Sequence, residues 1–401
     1  MRVAIRYGQR EVEVEVADQR LLSLHGTPAV PALADPAAAV DAALETPLGF
    51  PSLRQALTPD DRVAIVVDES LPRLPELLLP ILRHIRRAQV ALSATTLLCS
   101  PTSSSQDWLE ELPEDYQEVR VEVHDPGDRR RLAYLATTRQ GRRIYLNRTL
   151  VDADQLVVLT RRTFAGAQGH AGCEGALYPA FSDSSTRAAL TGSWPRAGVE
   201  SASARREAAE VAWLLGAPFF VQVIAGSGDD IVHVLGGLAD SGSAGDRLLA
   251  ARWRKTVERP ADVVIATLTG NRRRHDFATL ARALHTAAEV VRPGGRIALL
   301  CQAAPALGPV GEFLREADNP AEALARLRQQ PPPDHAAVEA WISAAEKAQV
   351  YLLSDWPAEI VEELFAIPLQ HAGQIERLFR RDDFVLILPD ADQLLVTLQP
   401  A

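Results

Sequence analysis

The chain has 401 residues, of which 47% are hydrophobic, enough for two ordinary domains with cores of their own. Its formal charge is −10, with 42 basic against 52 acidic residues, which argues against a general nucleic-acid binder. No apolar run is long enough to span a membrane, the opening MRVAIRYGQREVEVEV alternates like a strand, and the three scattered cysteines fit neither a disulfide framework nor a CxxC metal pattern, so a soluble, cytoplasmic protein is expected.

In chain order, short β-branched apolar runs alternate with helical stretches. The strand candidates are Val63–Val67, Val90–Leu98, Gln155–Thr160, Phe219–Ile224, Val263–Thr267, Ile297–Cys301, Val350–Leu353 and Phe384–Leu388. Helical patterns cover Pro75–Arg87, Ala204–Leu215, Phe277–Val291, His335–Lys347 and Pro357–Ala366, and the RPGGR run at 292–296 reads as a turn between helix and strand. Continuous apolar strands suit a parallel sheet covered on both faces. The fold class expected is therefore two α/β domains, 1–259 and 260–401, with mostly parallel sheets around an interdomain cleft. A small anionic molecule is the expected ligand, with a protein partner as the other possibility and no nucleic acid or membrane.

Four stretches carry candidate chemistry. VVDESLPRLP places Asp68, Ser70 and Arg73 at the carboxyl end of a buried strand, where open parallel sheets bind ligands. Asp and Ser also cap helices, and the two readings coexist. SPTSSSQDW, at 100–108, follows another strand and reads as a polar loop, since neither a basic residue nor a Gly-rich phosphate cradle accompanies its serines. GAQGHAGCEGALYP, at 166–179, spaces Gly166, Gly169, Gly172 and Gly175 three apart, so that the backbone can approach a ligand. Within it His170 and Cys173 have the spacing of two soft metal ligands on one helical turn, and Glu174 could act as a base, although Cys173 equally suits a small buried position. TGNRRRHDF sets Arg272, Arg273, Arg274 and His275 between a strand and a helix, either as a solvated loop or as a grip on a carboxylate or phosphate.

Read in order, these segments resemble the lactate racemase family, whose members use a nickel-pincer nucleotide. VAIVVDESLPRLPELLLPILRHIRR is similar to that family's strand, Asp-His-Thr-Arg-Pro motif and helix. QLVVLTRRTFAGAQGHAGCEGALYPAFSDSSTRAAL is similar to its cofactor segment, and VVIATLTGNRRRHDFATLARALHTAAEVVRPGGRIALLC to the opening of its second domain. VYLLSDWPAEIVEEL and DDFVLILPDADQLLV resemble the two late strands. The resemblance implies two α/β domains and a 2-hydroxyacid racemase or epimerase ancestry. In that family a lysine carries the pincer ring, and histidines bind nickel and shuttle the proton.

Carried over by position, those roles are mostly vacated. The motif's Asp falls on Asp68, but its His falls on Glu69 and its Arg on Leu71, with Arg73 two residues further on. The histidine after the next strand falls near Ser104, and the one before the glycine segment near Ala165. The attaching lysine falls on Glu174 or Gly175, the nickel-binding histidine near Thr191 or Gly192, and a helical glutamine and lysine near Leu280 and Ala283. The resemblance thus implies a relative whose covalent nickel-pincer site is altered or lost. One reading is an isomerase with a non-covalent cofactor or with new roles for His170, Cys173 and Glu174. The other is a non-catalytic binding protein, or pseudoenzyme, on the same scaffold.

Overall fold

The structure is a computed structural model that describes residues 1–101, 106–164, 173–190, 202–330, 332 and 335–399. Two six-stranded sheets organise it. The first runs in the order Ile231–Gly237, Phe219–Ala225, Gln155–Arg161, Val63–Val67, Thr95–Cys99, Arg120–Val123, and only its first pair is antiparallel. The second is parallel throughout, in the order Ile367–Pro368, Ala348–Leu353, Val291–Leu300, Ala261–Thr267, Val385–Leu388, Leu21–Leu22. Every residue of Val63–Val67 is buried, as expected of a β-branched run covered by helices on both faces.

Helix Leu74–Arg87 closes one face of the first sheet with Leu77, Leu78, Ile81, Leu82 and Ile85. Helices Phe277–Val290 and His335–Lys347 pack together over the second sheet. The strands of the N-terminal hairpin, Arg2–Tyr7 and Arg10–Glu15, lie against the second sheet: Ile5, Tyr7, Val14 and Val16 share a core with Val263, Ile265 and Leu300. Arg254–Val257 pairs in parallel with Leu395–Leu398, which ties the middle of the chain to its last strand.

Two local expectations differ from what forms. Over residues 90–98, Leu92–Ala94 makes a single 3-10 turn and the strand starts only at Thr95. Gln89 has just ended the preceding helix with a φ of 65°, and Val90 is buried at the corner. The RPGGR run does not stand outside the strand but lies within Val291–Leu300, which absorbs it as a register shift, with Gly294 at a φ of 72°.

Candidate functional site

Carboxyl ends of strands from both sheets meet at one junction. Asp68 follows Val63–Val67, and its Oδ1 accepts from the Ser70 amide at 3.0 Å and the Ser70 hydroxyl at 2.6 Å. Its Oδ2 accepts from the Arg161 amide at 3.0 Å, which fastens the end of the neighbouring strand. Asp68 and Ser70 therefore shape a turn and do not cap the helix, whose N-cap is Arg73 at a φ of 55°. The Arg73 guanidinium folds back onto Glu76 at 2.6 Å.

From the second sheet, Asp392 follows Val385–Leu388 and meets Arg161 at 3.1 Å, both side chains only 10–11% exposed. Helix Phe277–Val290 begins beside this pair, with Asp276 as N-cap accepting from the Thr279 amide at 2.8 Å. One turn further in, Arg282 feels Arg161, Asp392, Asp276 and Asp68, and burial lowers its pKa from the ordinary value. Leu280 and Ala283, where the family's helical glutamine and lysine fall by position, are buried in the core, and the residue of this helix that reaches the junction is Arg282.

The arginine loop spans the same junction. Asn271 accepts from the Arg273 amide at 3.0 Å and so sets the turn Arg272–Arg274. Gly270, at a φ of 87°, lets the loop pass: a β-carbon there would lie 2.8 Å from both the Arg274 guanidinium and the Gly228 carbonyl carbon. Arg272 pairs with Asp355 at 2.7 Å, Arg273 with Asp107 across the junction at 3.8 Å, and Arg274 with Asp229 while also donating to the Ser70 carbonyl at 3.4 Å. Each of the three arginines thus has a carboxylate of this chain as partner. His275 is 7% exposed, burial lowers its pKa before any charge acts on it, and its Nδ1 has no hydrogen-bond partner.

The glycine segment is described only at its end. His170 and Gly172 lie outside the described residues, as do Ser104, Ala165, Thr191 and Gly192. Cys173 is 1% exposed, in a core with Leu177 and Phe181, and burial raises its thiol pKa well above the ordinary range. Its Sγ lies 3.6 Å from the Glu174 carboxylate, and Gly175 sits in the short 3-10 turn Glu174–Ala176. Among the described residues no three His, Cys, Asp or Glu side chains gather as a metal site.

Glu174 and Gly175 offer no amine where the family's lysine falls. The chain contains two lysines, both engaged elsewhere: Lys255 Nζ donates to the Thr27 carbonyl, and Lys347 Nζ to Ala288 near the far end of the Arg282 helix. The residues present therefore do not fit a pincer nucleotide held by an amide to lysine.

Among the described residues three histidines are buried: His84, which accepts from the Arg54 amide at 2.8 Å, His124, bonded to the Ser182 carbonyl at 3.0 Å, and His275. Burial is the largest cause lowering the pKa of each. Below the unfolded value of about 6.5 the unfolded chain takes up protons that the folded chain refuses. Their contribution to stability is therefore present above that pH and is lost as the pH falls towards the lowered folded values. The melting temperature should drop between about pH 7.5 and about pH 5, and His124→Gln should flatten the slope. A profile equally steep in His124→Gln would show that His124 does not contribute.

The comparisons place this two-sheet α/β fold beside lactate racemase. Residues 7–188 match the family model described as the lactate racemase N-terminal domain. The lactate racemase apoprotein from Thermoanaerobacterium thermosaccharolyticum superposes with a TM-score of 0.81 at 19% identity, covering 99% of this chain and 100% of its own. A protein from Thermotoga maritima superposes with a TM-score of 0.68 at 14% identity, covering 91% of this chain and 99% of its own. No curated protein matches the sequence. The chain is lactate-racemase-like, by sequence over its first part and by fold over its whole length.

Sequence reasoning named Asp68 and the arginine loop but missed Arg161, Arg282 and Asp392. Arg161 closes an apolar strand and Asp392 comes after one, so the rule that found Asp68 applied to them too. Arg282 was legible as the lone cation in the apolar stretch FATLARALHTAAEV.

Proposed function

We propose that this protein binds a small carboxylate, of the 2-hydroxyacid class, at the junction of its two sheets, on a racemase scaffold from which covalent pincer attachment has been lost. The observation that carries the reading is the pair of guanidiniums, Arg161 and Arg282, half-buried to buried at facing elements beside Asp68 and Asp392. Arginine forks match carboxylates, and in a site withdrawn from water each charge-assisted bond contributes more than at the surface. The missing amine at 174–175 favours a binding protein over a family-type racemase.

A second reading, an isomerase, is supported by His275. Its buried, neutral imidazole keeps Nδ1 without a partner, which suits a proton acceptor beside the same junction.

Calorimetric titration with D- and L-lactate and larger 2-hydroxy acids tests the binding claim. Arg282→Gln should weaken binding by about tenfold or more, the loss of one charge-assisted contact. If no 2-hydroxy acid binds, or if Arg282→Gln binds as the parent does, the reading fails. Substrate-dependent epimerisation abolished in His275→Gln would select the second reading.

A further inference from the structure

Charge is sorted sharply along one flank of the first sheet. Residues 107–118 carry six acidic side chains and no basic one, and residues 129–151 carry seven arginines and no acidic one. All six acids are exposed, as are the arginines apart from the half-buried Arg142. Between the two blocks runs Arg120–Val123, the outermost strand of that sheet, whose one sheet neighbour among the described residues is Thr95–Cys99. Helix Glu114–Gln117 leads into the strand, with the Val119 amide donating to the Tyr116 carbonyl, and beyond its exit Arg131 donates to the Val123 carbonyl at 3.4 Å. The acidic block therefore ends at the entry of the strand and the basic block starts at its exit. A strand of 4 residues spans about 13 Å, out of reach of an ion pair.

The two blocks leave much of their charge unmatched within one copy. Asp107 and Asp115 are engaged by Arg273 and Arg86, but Glu110, Glu111, Glu114 and Glu118 pair with no cation among the described residues. Arg131 is held by Asp128 and Arg142 by Glu207, whereas Arg129, Arg130, Arg139 and Arg143 pair with no carboxylate among those residues. The basic block also bears uncovered aromatic surface. Its hairpin, Leu132–Thr137 with Arg143–Asn147, buries Ile144 and Leu146 in a core with Tyr178, Ala208 and Val211. The outer face carries Tyr134 and Tyr145, cross-strand partners with ring centroids 5.6 Å apart, which are 52% and 39% exposed. Tyrosine set among arginine is the composition of protein interfaces. A chain of charge −10 repels a polyanion elsewhere on its surface, while its own acidic block is a matched counterpart.

We propose that a second copy of this chain docks along this flank to form a two-fold dimer. A two-fold axis at right angles to Arg120–Val123 sets the two copies of that strand antiparallel, so the entry end of each faces the exit end of the other. Glu114 and Glu118 of one copy then meet Arg129 and Arg130 of the second, and the same contacts form twice. The Tyr134–Tyr145 face adds apolar area beside those charges, and exclusion of water strengthens each pair. The dimer is independent of the carboxylate site proposed at the junction of the sheets.

Sedimentation velocity of the full chain, over a range of protein and salt concentrations, tests this. The parent should be dimeric at low salt and should dissociate as salt rises and screens the pairs. Arg129→Glu with Arg130→Glu should weaken dimerisation by about tenfold or more, and so should Glu114→Arg with Glu118→Arg, because each sets like charges opposite one another. All four substitutions in one chain reverse both sides and should restore dimerisation, which no unrelated surface would do. The substituted side chains are all exposed, so melting curves should match the parent's. A parent that stays monomeric at every salt concentration would overturn the proposal. So would paired variants that dimerise as the parent does, or a fourfold variant that stays monomeric. A single-stranded oligonucleotide that binds the parent but not Arg129→Glu with Arg130→Glu would assign the basic face to a polyanion, and would overturn the proposal as well.

Discussion

Replacing Arg161 by leucine should destabilise the protein by about 3–5 kcal/mol, read as a lowered denaturant midpoint. The Arg161–Asp392 pair, at 3.1 Å, joins the end of Gln155–Arg161 in the first sheet to the loop after Val385–Leu388 in the second. Both side chains are about nine-tenths buried, so removal of the guanidinium leaves a carboxylate largely withdrawn from water without that partner. The cost comes from that orphaned charge more than from the attraction lost. Arg161→Leu combined with Asp392→Leu removes both charges and should recover most of the loss. Arg282 faces the same carboxylate, so Arg282→Gln and Arg161→Leu should combine non-additively. A change below about 1 kcal/mol, the size typical of exposed pairs, would mean that the junction is open to solvent.

The second large effect is expected at Trp341. Its side chain is fully buried, its indole Nε1 donates to the Leu364 carbonyl at 2.7 Å, and its ring lies 4.8 Å from Phe277 and 6.5 Å from Trp356. Phe277 is the first residue of the helix that carries Arg282, so this aromatic cluster braces the start of that helix from below. Trp341→Ala should cost about 3–5 kcal/mol, the range for emptying a large aromatic site. It should also weaken carboxylate binding more than its distance from the junction suggests. Trp341→Phe keeps most of the volume and loses the hydrogen bond, so about 0.5–1.5 kcal/mol is expected. Similar losses in the two variants would show that the hydrogen bond, and not the packing, dominates.

The parallel sheets were legible because their strands are continuous β-branched runs: Val63–Val67 and Ala261–Thr267 need burial on both faces, and few arrangements supply it. Helix His335–Lys347 was legible residue for residue from its apolar stripe. The partner of the N-terminal hairpin was not. Alternation in MRVAIRY and REVEVEV says that one face is covered, not which sheet covers it, and the answer lies in contacts with Val263 and Leu300, far along the chain. The pairing of the arginine loop was hidden for the same reason. Asp355, Asp107 and Asp229, which meet Arg272, Arg273 and Arg274, come from three distant loops, and sequence spacing carries no information about them. Asp68 shows the opposite case: its place at a strand end was legible, but its two oxygens turn out to be engaged by Ser70 and Arg161.

The central claim is that the scaffold persists without covalent attachment of the family's cofactor. Intact-protein mass spectrometry with metal analysis, on protein co-expressed with a pincer-synthesis pathway, tests it most directly. The account predicts the unmodified mass of the 43.5 kDa chain. An added mass of nucleotide size, with stoichiometric nickel, would contradict it and would mean that attachment proceeds through a residue other than lysine at positions 174–175.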